Sequence, residues 1–327
     1  MIAVSHQKLT EKAIQKLESE GVASARARIV VDHMLTATLW GRSTHGFSVR
    51  FPYILKQAQE GAGEKQLEIV ESSPTRVVVD ANQGFGYLAG YRCTEILRDR
   101  VSKNGSATIA LRNTRHSGMI GYYTNILARA GIVALAFGNC VPLMAPYGGK
   151  EALLGTNPIS FAFPAEPDPI LVDMATSALS YGNVTERDQA DEALPEGCAL
   201  GPEGEPTTDA AEAREGALLP FGGHRGGALA VAVQLLAGAF TGAAPIPDEG
   251  KDYGLLLIGY SRGLLAGEQN YDHAVQEFIQ RYLSVPERPG MEVRLPGSRR
   301  YENLRQREKQ PIEISDELAR ELKLNAK

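Results

Sequence analysis

The sequence is poor in cysteine and has no excess of positive charge. Its three cysteines, Cys93, Cys140 and Cys198, are far apart and form no CxxC or CxxH pair, which argues against a disulfide framework and a zinc knuckle. Lysine and arginine total 34 against 39 acidic residues, a net charge of −5, so no nucleic-acid partner is expected. The first residues lack the apolar core of a signal peptide, and we therefore expect a cytoplasmic protein with reduced thiols.

One stretch, Gly226–Pro247, contains no charged side chain. About 20 apolar residues are enough to span a bilayer, so this length alone permits a membrane helix. However, the stretch also holds several glycines, two prolines, Gln234 and Thr241. Its helical period and small residues instead predict a buried core helix packed on a sheet, and no membrane association is expected.

Helical and strand-like patterns alternate after an all-helical start. Amphipathic helices are predicted at Leu9–Glu20, Ser24–Leu39 and Phe51–Glu60, and β-rich runs at Thr75–Val79, Ala107–Leu111, Ile132–Phe137 and Gly254–Gly259. This alternation predicts an α/β or α+β layered fold, and 43% apolar residues can supply its core. The acidic, glycine- and proline-containing segment Glu186–Glu215 is predicted to be a long surface loop without regular structure.

Two motifs imitate known functional signatures. GFGYLA, at residues 84–89, fits a relaxed dinucleotide fingerprint, but the next strand ends in Arg112 and Asn113 with no acidic residue for a ribose. We therefore favour a helix cap or turn. GYSRG places Ser261 after an apolar strand like a nucleophile elbow, but the only later histidine, His273, lies on the next helix, which argues against a serine hydrolase.

The six histidines form no HxH or HExxH pair, so no metal site is expected. His33 lies on an apolar helix face, which favours a core position. His45, His116 and His224 each lie in a glycine-flanked turn, where side chains reach ligands and helix N-termini attract anions. Polar residues also follow the strand-like runs in GTNPISFAFP and VDMATSA, a pattern typical of either a small-molecule pocket or turns and caps.

Several longer motifs together are similar to one known family: STHG, NTRHSG, APYGGKEALLGTNPISFAFP, LVDMATSALSYG, GALLPFGGHRGGALAVAVQLLAGAFTG and LPGSRRY. Over Leu9–Tyr301 the chain resembles the malate/L-lactate/L-sulfolactate dehydrogenases. The resemblance implies a non-Rossmann NAD(P)-binding α/β fold and a homodimer. It implies a helical subdomain over residues 1–70, joined by the tail 296–327, and an α/β cofactor- and substrate-binding domain over 71–295.

The resemblance also implies roles for individual residues. His45 is expected to be the proton donor, with the Thr44 hydroxyl beside it and Asn183 as the third member of a relay. His116 is a further candidate for the catalytic group. The expected substrate contacts are His116 and Thr156, and the expected cofactor contacts are Asp173, Met174, Ala175, Tyr181, Gly182, His224, Arg225 and Arg299.

Four of these positions depart from the pattern of the family. Thr44 replaces the usual serine, Asn183 stands where the imine-reducing branch has an acid, and Arg225 replaces the usual lysine. The arginine four positions after the histidine is Val49 here. Arg50 follows directly, and its guanidinium suits a carboxylate, so we expect it to hold the substrate acid.

The motifs GALLPFGGHRGGAL and LPGSRRY look closest to the branch that reduces Δ1-piperideine-2-carboxylate and Δ1-pyrroline-2-carboxylate. We therefore expect an NAD(P)H-dependent reductase that forms L-pipecolate or L-proline from these cyclic 2-imino acids. A malate- or lactate-type 2-hydroxy acid dehydrogenase is the alternative, and a cofactor-binding relative with altered or no activity is a further one. NADP(H) is favoured over NAD(H), because Arg225 and Arg299 could pair with a 2′-phosphate.

Overall fold

A computed structural model describes residues 1–247 and 251–324. Its strands are β1 (Ile2–Val4), β2 (Glu68–Ser72), β3 (Arg76–Asp80), β4 (Ser106–Thr114), β5 (Ile132–Gly138), β6 (Ile159–Phe163), β7 (Ile170–Met174), β8 (Ala199–Leu200), β9 (Pro206–Thr207), β10 (Ala217–Leu218), β11 (Tyr253–Ser261) and β12 (Ile312–Ile314). Its α-helices are α1 (His6–Ser19), α2 (Ser24–Leu39), α3 (Phe47–Gln59), α4 (Gly86–Asn104), α5 (Ile120–Arg129), α6 (Tyr181–Gln189), α7 (Ala210–Glu215), α8 (His224–Ala237), α9 (Glu268–Leu283), α10 (Ser298–Arg307) and α11 (Asp316–Glu321).

The centre of the molecule is a seven-stranded mixed sheet in the order β2-β3-β4-β11-β5-β6-β7. β3 and β4 are parallel and are joined through α4, whereas the other neighbouring pairs are antiparallel. In the middle strand Leu255, Leu256 and Leu257 are all fully buried. Because successive side chains point to opposite faces, both faces of this strand are covered. The predicted α/β fold is confirmed.

The helical layer combines both ends of the chain. β1 pairs antiparallel with β12, with Ile2 opposite Ile314. Leu9 of α1, Phe51 of α3 and Leu318 of α11 belong to one buried apolar cluster. The bounds predicted for α2 are confirmed, and His33 is fully buried on it as expected. The division into domains at residues 70 and 296 stays a prediction.

The prediction of an irregular loop over 186–215 is wrong. The segment includes the end of α6, the two-residue strands β8 and β9, and α7, and β8 also pairs with β10. Leu194, Ala210, Ala213 and Leu218 belong to a separate small cluster of buried apolar residues, which also includes Ala230 of α8. Strands of two residues are too short to show an alternating pattern, so composition alone suggested a loop.

The charge-free stretch 226–247 is only half buried, which corrects the expectation of a core helix. α8 ends at Ala237, and its buried face carries Ala230 and Val233, but Val231 and Leu235 on the other face are about half exposed. A helix without charge gives no sign of which face meets solvent, so its composition could not reveal the exposed side. Within residues 1–247 and 251–324, no helix is long and apolar enough to cross a membrane.

The two imitating motifs have structural explanations. Gly86 begins α4, and a Cβ atom there would lie 2.2 Å from the carbonyl oxygen of Arg115. The glycine therefore permits close packing of a helix end against the loop after β4. Ser261 is the last residue of β11, and α9 begins only at Glu268, so the strand–turn–helix geometry of a nucleophile elbow is not formed.

Candidate active site

A cavity of about 630 Å³ lies between the helical layer and the sheet, lined by residues from both. Most of the predicted site residues line it, namely Thr44, His45, Arg50, His116, Thr156, Asp173, Met174, Ala175, Tyr181, Gly182 and Asn183. They come from four separate parts of the chain, and the fold brings them to one place.

Three of the predicted cofactor contacts do not line the cavity. His224 and Arg225 are exposed in the first turn of α8, and Arg299 is exposed in α10. The neighbouring Arg300 is buried and lines the cavity instead. The helical phase at the start of α10 was not visible in LPGSRRY, so the sequence did not show which of its two arginines lines the cavity. The cofactor roles of His224, Arg225 and Arg299 stay predictions.

A short 3-10 turn between α2 and α3 carries His45. The Thr38 hydroxyl donates to the carbonyl oxygen of Met34 at 2.8 Å and accepts the backbone N–H of Phe47 at 3.1 Å. A Cβ atom on Gly46 would lie 2.7 Å from that hydroxyl oxygen. The glycine of the THG motif therefore lets α3 start directly against α2, which fixes the turn that presents His45.

The ring of His45 contacts the hydroxyl of Thr44 and lies among arginines. Thr44 Oγ1 is 3.0 Å from His45 Nδ1, and Arg50 donates from Nε to the Thr44 carbonyl oxygen at 2.8 Å. Burial, together with the positive charges of Arg50, Arg42 and Arg300, lowers the pKa of His45 to about 3. The imidazole is therefore neutral at pH 7 when no anion is bound.

The second cavity histidine, His116, lies on the loop between β4 and α5. The backbone N–H of Gly118 donates to His116 Nδ1 at 3.2 Å. Burial lowers the pKa of His116 well below its usual value, so the ring is neutral, and this hydrogen bond places its proton on Nε2. Its ring stacks on that of His45 with centroids 5.9 Å apart. The pair thus offers one hydrogen-bond donor beside one proton-exchanging group.

Asn183 lines the cavity but does not complete the predicted relay. Ser180 caps α6: its hydroxyl accepts the Asn183 N–H at 3.1 Å and donates to Asn183 Oδ1 at 2.7 Å. The amide nitrogen of Asn183 donates to Glu186 at 3.3 Å. Both polar atoms of the Asn183 side chain are therefore hydrogen-bonded to residues of α6 or its cap. In the part of the chain that the structure describes, no hydrogen bond joins Asn183 to His45.

Four charged residues line the cavity, and the three arginines among them all act on the pKa of His45. At one end Arg300 pairs with Asp173, with Nη1 2.8 Å from Oδ2, and its Nη2 also donates to the Asp173 carbonyl oxygen at 2.8 Å. Arg42 lies near this pair, since the charges of both partners affect its pKa. Elsewhere in the cavity, the positive charge of Arg50 acts to lower the pKa of His116 and of Tyr53. Across residues 1–247 and 251–324, neither Arg42 nor Arg50 forms an ion pair.

The wall around Arg50 carries several neutral polar side chains. It includes Tyr53, Tyr253 and Cys140, whose sulfur lies 3.6 Å from Thr156 Oγ1. Burial raises the pKa of the Cys140 thiol and of both tyrosines, so all three are neutral near pH 7. Sequence reasoning missed these residues and Arg42. Tyr53 could have been found, because it stands three residues after Arg50 on the same face of α3.

Among residues 1–247 and 251–324, no three His, Cys, Asp or Glu side chains lie close enough together to hold a metal ion.

Comparison with known proteins identifies relatives along the whole chain. The sequence profile of the malate/L-lactate dehydrogenases matches residues 4–323. An L-sulfolactate dehydrogenase of Methanocaldococcus jannaschii is 33% identical, over 95% of this chain and 92% of that protein. A Δ1-pyrroline-2-carboxylate/Δ1-piperideine-2-carboxylate reductase of Pseudomonas putida is also 33% identical, over 94% and 92%. The structure of a Δ1-piperideine-2-carboxylate reductase from Pseudomonas syringae pvar. tomato superposes with a TM-score of 0.88 at 29% identity, covering 98% of this chain and 99% of that one.

Proposed function

The chain belongs to the malate/L-lactate dehydrogenase family, and we propose that this oxidoreductase reduces small cyclic 2-imino acids at the cavity around His45. The predicted family is confirmed by the match over residues 4–323. Relatives that act on sulfolactate and on cyclic imines are equally identical to the chain, so identity does not select the substrate. The observation that carries the proposal is the juxtaposition of His45, His116 and the unpaired cation Arg50 in one cavity.

Three arginines line the cavity: Arg300 is paired with Asp173, Arg42 lies near that pair, and Arg50 is the one whose charge acts on the neutral Tyr53, Cys140 and Tyr253. We place the substrate carboxylate at Arg50 and leave Arg42 for the cofactor. A guanidinium binds one carboxylate well, but a second acidic group would lose water without gaining a partner. A cyclic 2-imino acid carries one carboxylate, whereas malate and sulfolactate carry two acidic groups. This charge balance favours the imine.

His45 serves as the proton-exchanging residue in this proposal. When bound, a nicotinamide cofactor supplies the hydride for C2 of the acid. The substrate nitrogen must then end protonated, and a positioned imidazole exchanges that proton. A carboxylate beside Arg50 offsets one of the charges that lower the His45 pKa, so binding of the acid favours the protonated ring. A cyclic imine that arrives protonated needs little further help, which suits a histidine without a carboxylate partner.

A 2-hydroxy acid dehydrogenase is the second candidate, and the neutral state of His45 favours it. Oxidation of an alcohol needs a base that is unprotonated before the reaction. The low pKa of His45 provides that state at pH 7. The two candidates differ in the substrate and in the favoured direction, while the roles of His45 and Arg50 are the same.

We assign the nicotinamide cofactor to the end of the cavity that holds Asp173 and Arg300. The residues fit such a group, because the unpaired guanidinium of Arg42 can bind a phosphate there, and Met174, Ala175, Tyr181 and Gly182 form the adjoining wall. NADP(H) is the proposed cofactor, since its additional phosphate offers a partner for Arg42 or for the exposed Arg225 and Arg299.

A homodimer is part of the same proposal. α9 has sixteen residues and none of them is buried in the single chain. Its apolar Phe278 and Leu283 are about half exposed, and so is Leu235 on the outer face of α8. Exposed apolar surfaces of this kind are typical of subunit contacts. A second copy of the chain is the proposed occupant, and sedimentation equilibrium of the wild type and of Phe278→Glu tests it.

The role of His45 is tested by replacing it with alanine. We expect a loss of about 10²–10⁴-fold in kcat, because a positioned proton donor contributes that much. The dissociation constant for NADPH, followed by its fluorescence, should be unchanged. His273→Ala, an exposed histidine on α9, is the matched control. A variant at His45 with wild-type kcat would contradict the assignment.

A further inference from the structure

The buried histidine of α2, His33, does more than fill the core. Its side chain is fully buried, and its Nε2 accepts the backbone N–H of Met119 at 2.9 Å. Met119 ends the irregular segment 115–119 between β4 and α5, which carries His116 and is called the His116 loop below. The hydrogen bond therefore joins the first helical pair to the loop of a cavity residue, across 86 positions of the sequence.

The contact between His33 and this loop is close. A Cβ atom on Gly118 would lie only 2.6 Å from His33 Nε2, and Gly118 has a positive φ of 72° that glycine adopts readily. Gly118 is also the residue whose N–H donates to His116 Nδ1. One backbone segment therefore contacts His33 on one side and fixes the ring of His116 on the other.

The orientation of the His33 ring is determined by its surroundings. Its centroid lies 4.6 Å from that of Tyr87 and 4.3 Å from that of Tyr122. Because Nε2 accepts a hydrogen bond, the neutral ring carries its proton on Nδ1. That nitrogen is buried and has no hydrogen-bond partner within residues 1–247 and 251–324. A buried donor without a hydrogen-bond partner destabilises the folded state. The hydrogen bond that Nε2 accepts from Met119 is the interaction that offsets this cost.

We infer that His33 is a positioning residue: by holding Met119 it sets the His116 loop, and through Gly118 it selects the His116 tautomer that keeps a donor on Nε2. This inference rests on the proposed role of His116 as a substrate contact. A leucine or phenylalanine would fill the same space, yet neither would accept the Met119 N–H. The acceptor, rather than the volume, is therefore what the position requires.

Three variants separate positioning from packing. His33→Phe keeps a buried ring and removes the acceptor, and His33→Gln places an amide oxygen near the position of Nε2. Met34→Leu alters a fully buried neighbour on the same helix and is the packing control. For His33→Phe we expect roughly a 10²-fold loss in kcat/KM for the acid, because a misplaced contact costs about that much, with an unchanged NADPH dissociation constant. His33→Gln should recover most of this loss, and Met34→Leu should retain wild-type kinetics.

The tautomer of His116 gives a readout that needs no turnover. In protein labelled with ¹⁵N at histidine, we expect His116 of the wild type and of His33→Gln to be protonated at Nε2, and His33→Phe to show a mixture of tautomers. An unchanged His116 signal in His33→Phe, or equal damage in His33→Gln and His33→Phe, would overturn the inference. If the wild type reduces no acid, the proposed function fails, and the tautomer measurement still decides the role of His33.

Discussion

Thr44 occupies the space that a side chain on Gly182 would need. A Cβ atom built on Gly182 would lie 2.4 Å from both Cβ and Cγ2 of Thr44. The turn that carries His45 therefore rests directly on the start of α6, which provides the proposed cofactor contacts Tyr181 and Gly182. The methyl group Cγ2, which threonine has and serine lacks, is one of the two atoms in this contact.

Gly182→Ala should therefore disturb the His45 turn. We expect at least a tenfold loss in kcat, because distances of 2.4 Å require movement of the backbone or of Thr44. Thr44→Ser in the same chain should restore part of the activity, since it removes Cγ2 and leaves Cβ. Gly201→Ala is the control, because its nearest neighbour would be an ordinary 3.5 Å away. Equal activity of the two alanine variants would contradict this contact.

The ion pair of Asp173 and Arg300 should show strong coupling. Both side chains are buried to about nine-tenths, so Arg300→Met leaves an unpaired carboxylate. We expect a loss of about 3–5 kcal/mol in the free energy of unfolding, the cost typical of breaking a buried pair. Adding Asp173→Asn should recover part of that loss. This double-mutant cycle is measured by urea denaturation of the wild type, the two single variants and the double variant at one fixed protein concentration. Additive losses in the free energy of unfolding would show that the two residues are not coupled.

Stability should fall on acidification because of the buried histidines. Burial lowers the pKa of His33, His45 and His116, and the usual unfolded value is about 6.5. At a pH between the lowered pKa values of the folded state and the unfolded value, the unfolded chain binds more protons than the folded chain. The free energy of unfolding therefore decreases as the pH falls below about 6.5. Each histidine contributes up to about 1.4 kcal/mol per pH unit. His45→Gln should reduce this slope between pH 6.5 and 5, whereas His273→Gln should leave it unchanged.

The two unpaired arginines should affect different ligands. Arg50→Leu is expected to raise KM for the acid by at least tenfold, since it removes the lining cation proposed to hold the substrate carboxylate. Arg42→Leu is expected to weaken NADPH binding and to leave KM for the acid almost unchanged. Steady-state kinetics with each ligand varied in turn separates these effects. The reverse assignment of the two effects would contradict the division of the cavity into two ends.

Much of the fold was predictable where a single physical signal dominates. The bounds of α2 agree with its apolar period, and the strands beside β11 agree with their β-branched and apolar runs. The strands β8 and β9 were missed because pairs of residues have no period. The burial of α8 was overestimated because absence of charge does not reveal which face is covered.

The candidate site was predicted mainly through motifs that are continuous in the sequence. Thr44, His45, His116 and Asp173 line the cavity as expected. Arg42 and Arg300 were missed because their positions depend on how a turn and a helix start are oriented in space. The use of Asn183 within the α6 cap also depended on Ser180, three residues earlier, and nothing in the sequence ranked that bond above one to His45.

The most direct test of the proposed function is NADPH oxidation, followed at 340 nm, with a panel of acids at equal concentration. The panel contains Δ1-piperideine-2-carboxylate, Δ1-pyrroline-2-carboxylate, pyruvate, oxaloacetate and sulfopyruvate. Because Arg50 is the one lining cation that we assign to the substrate, we expect the highest kcat/KM with a cyclic imine and the lowest with the two doubly acidic compounds. Oxidation of NADPH by oxaloacetate or sulfopyruvate alone would contradict the proposal and assign the chain to the hydroxy-acid dehydrogenases.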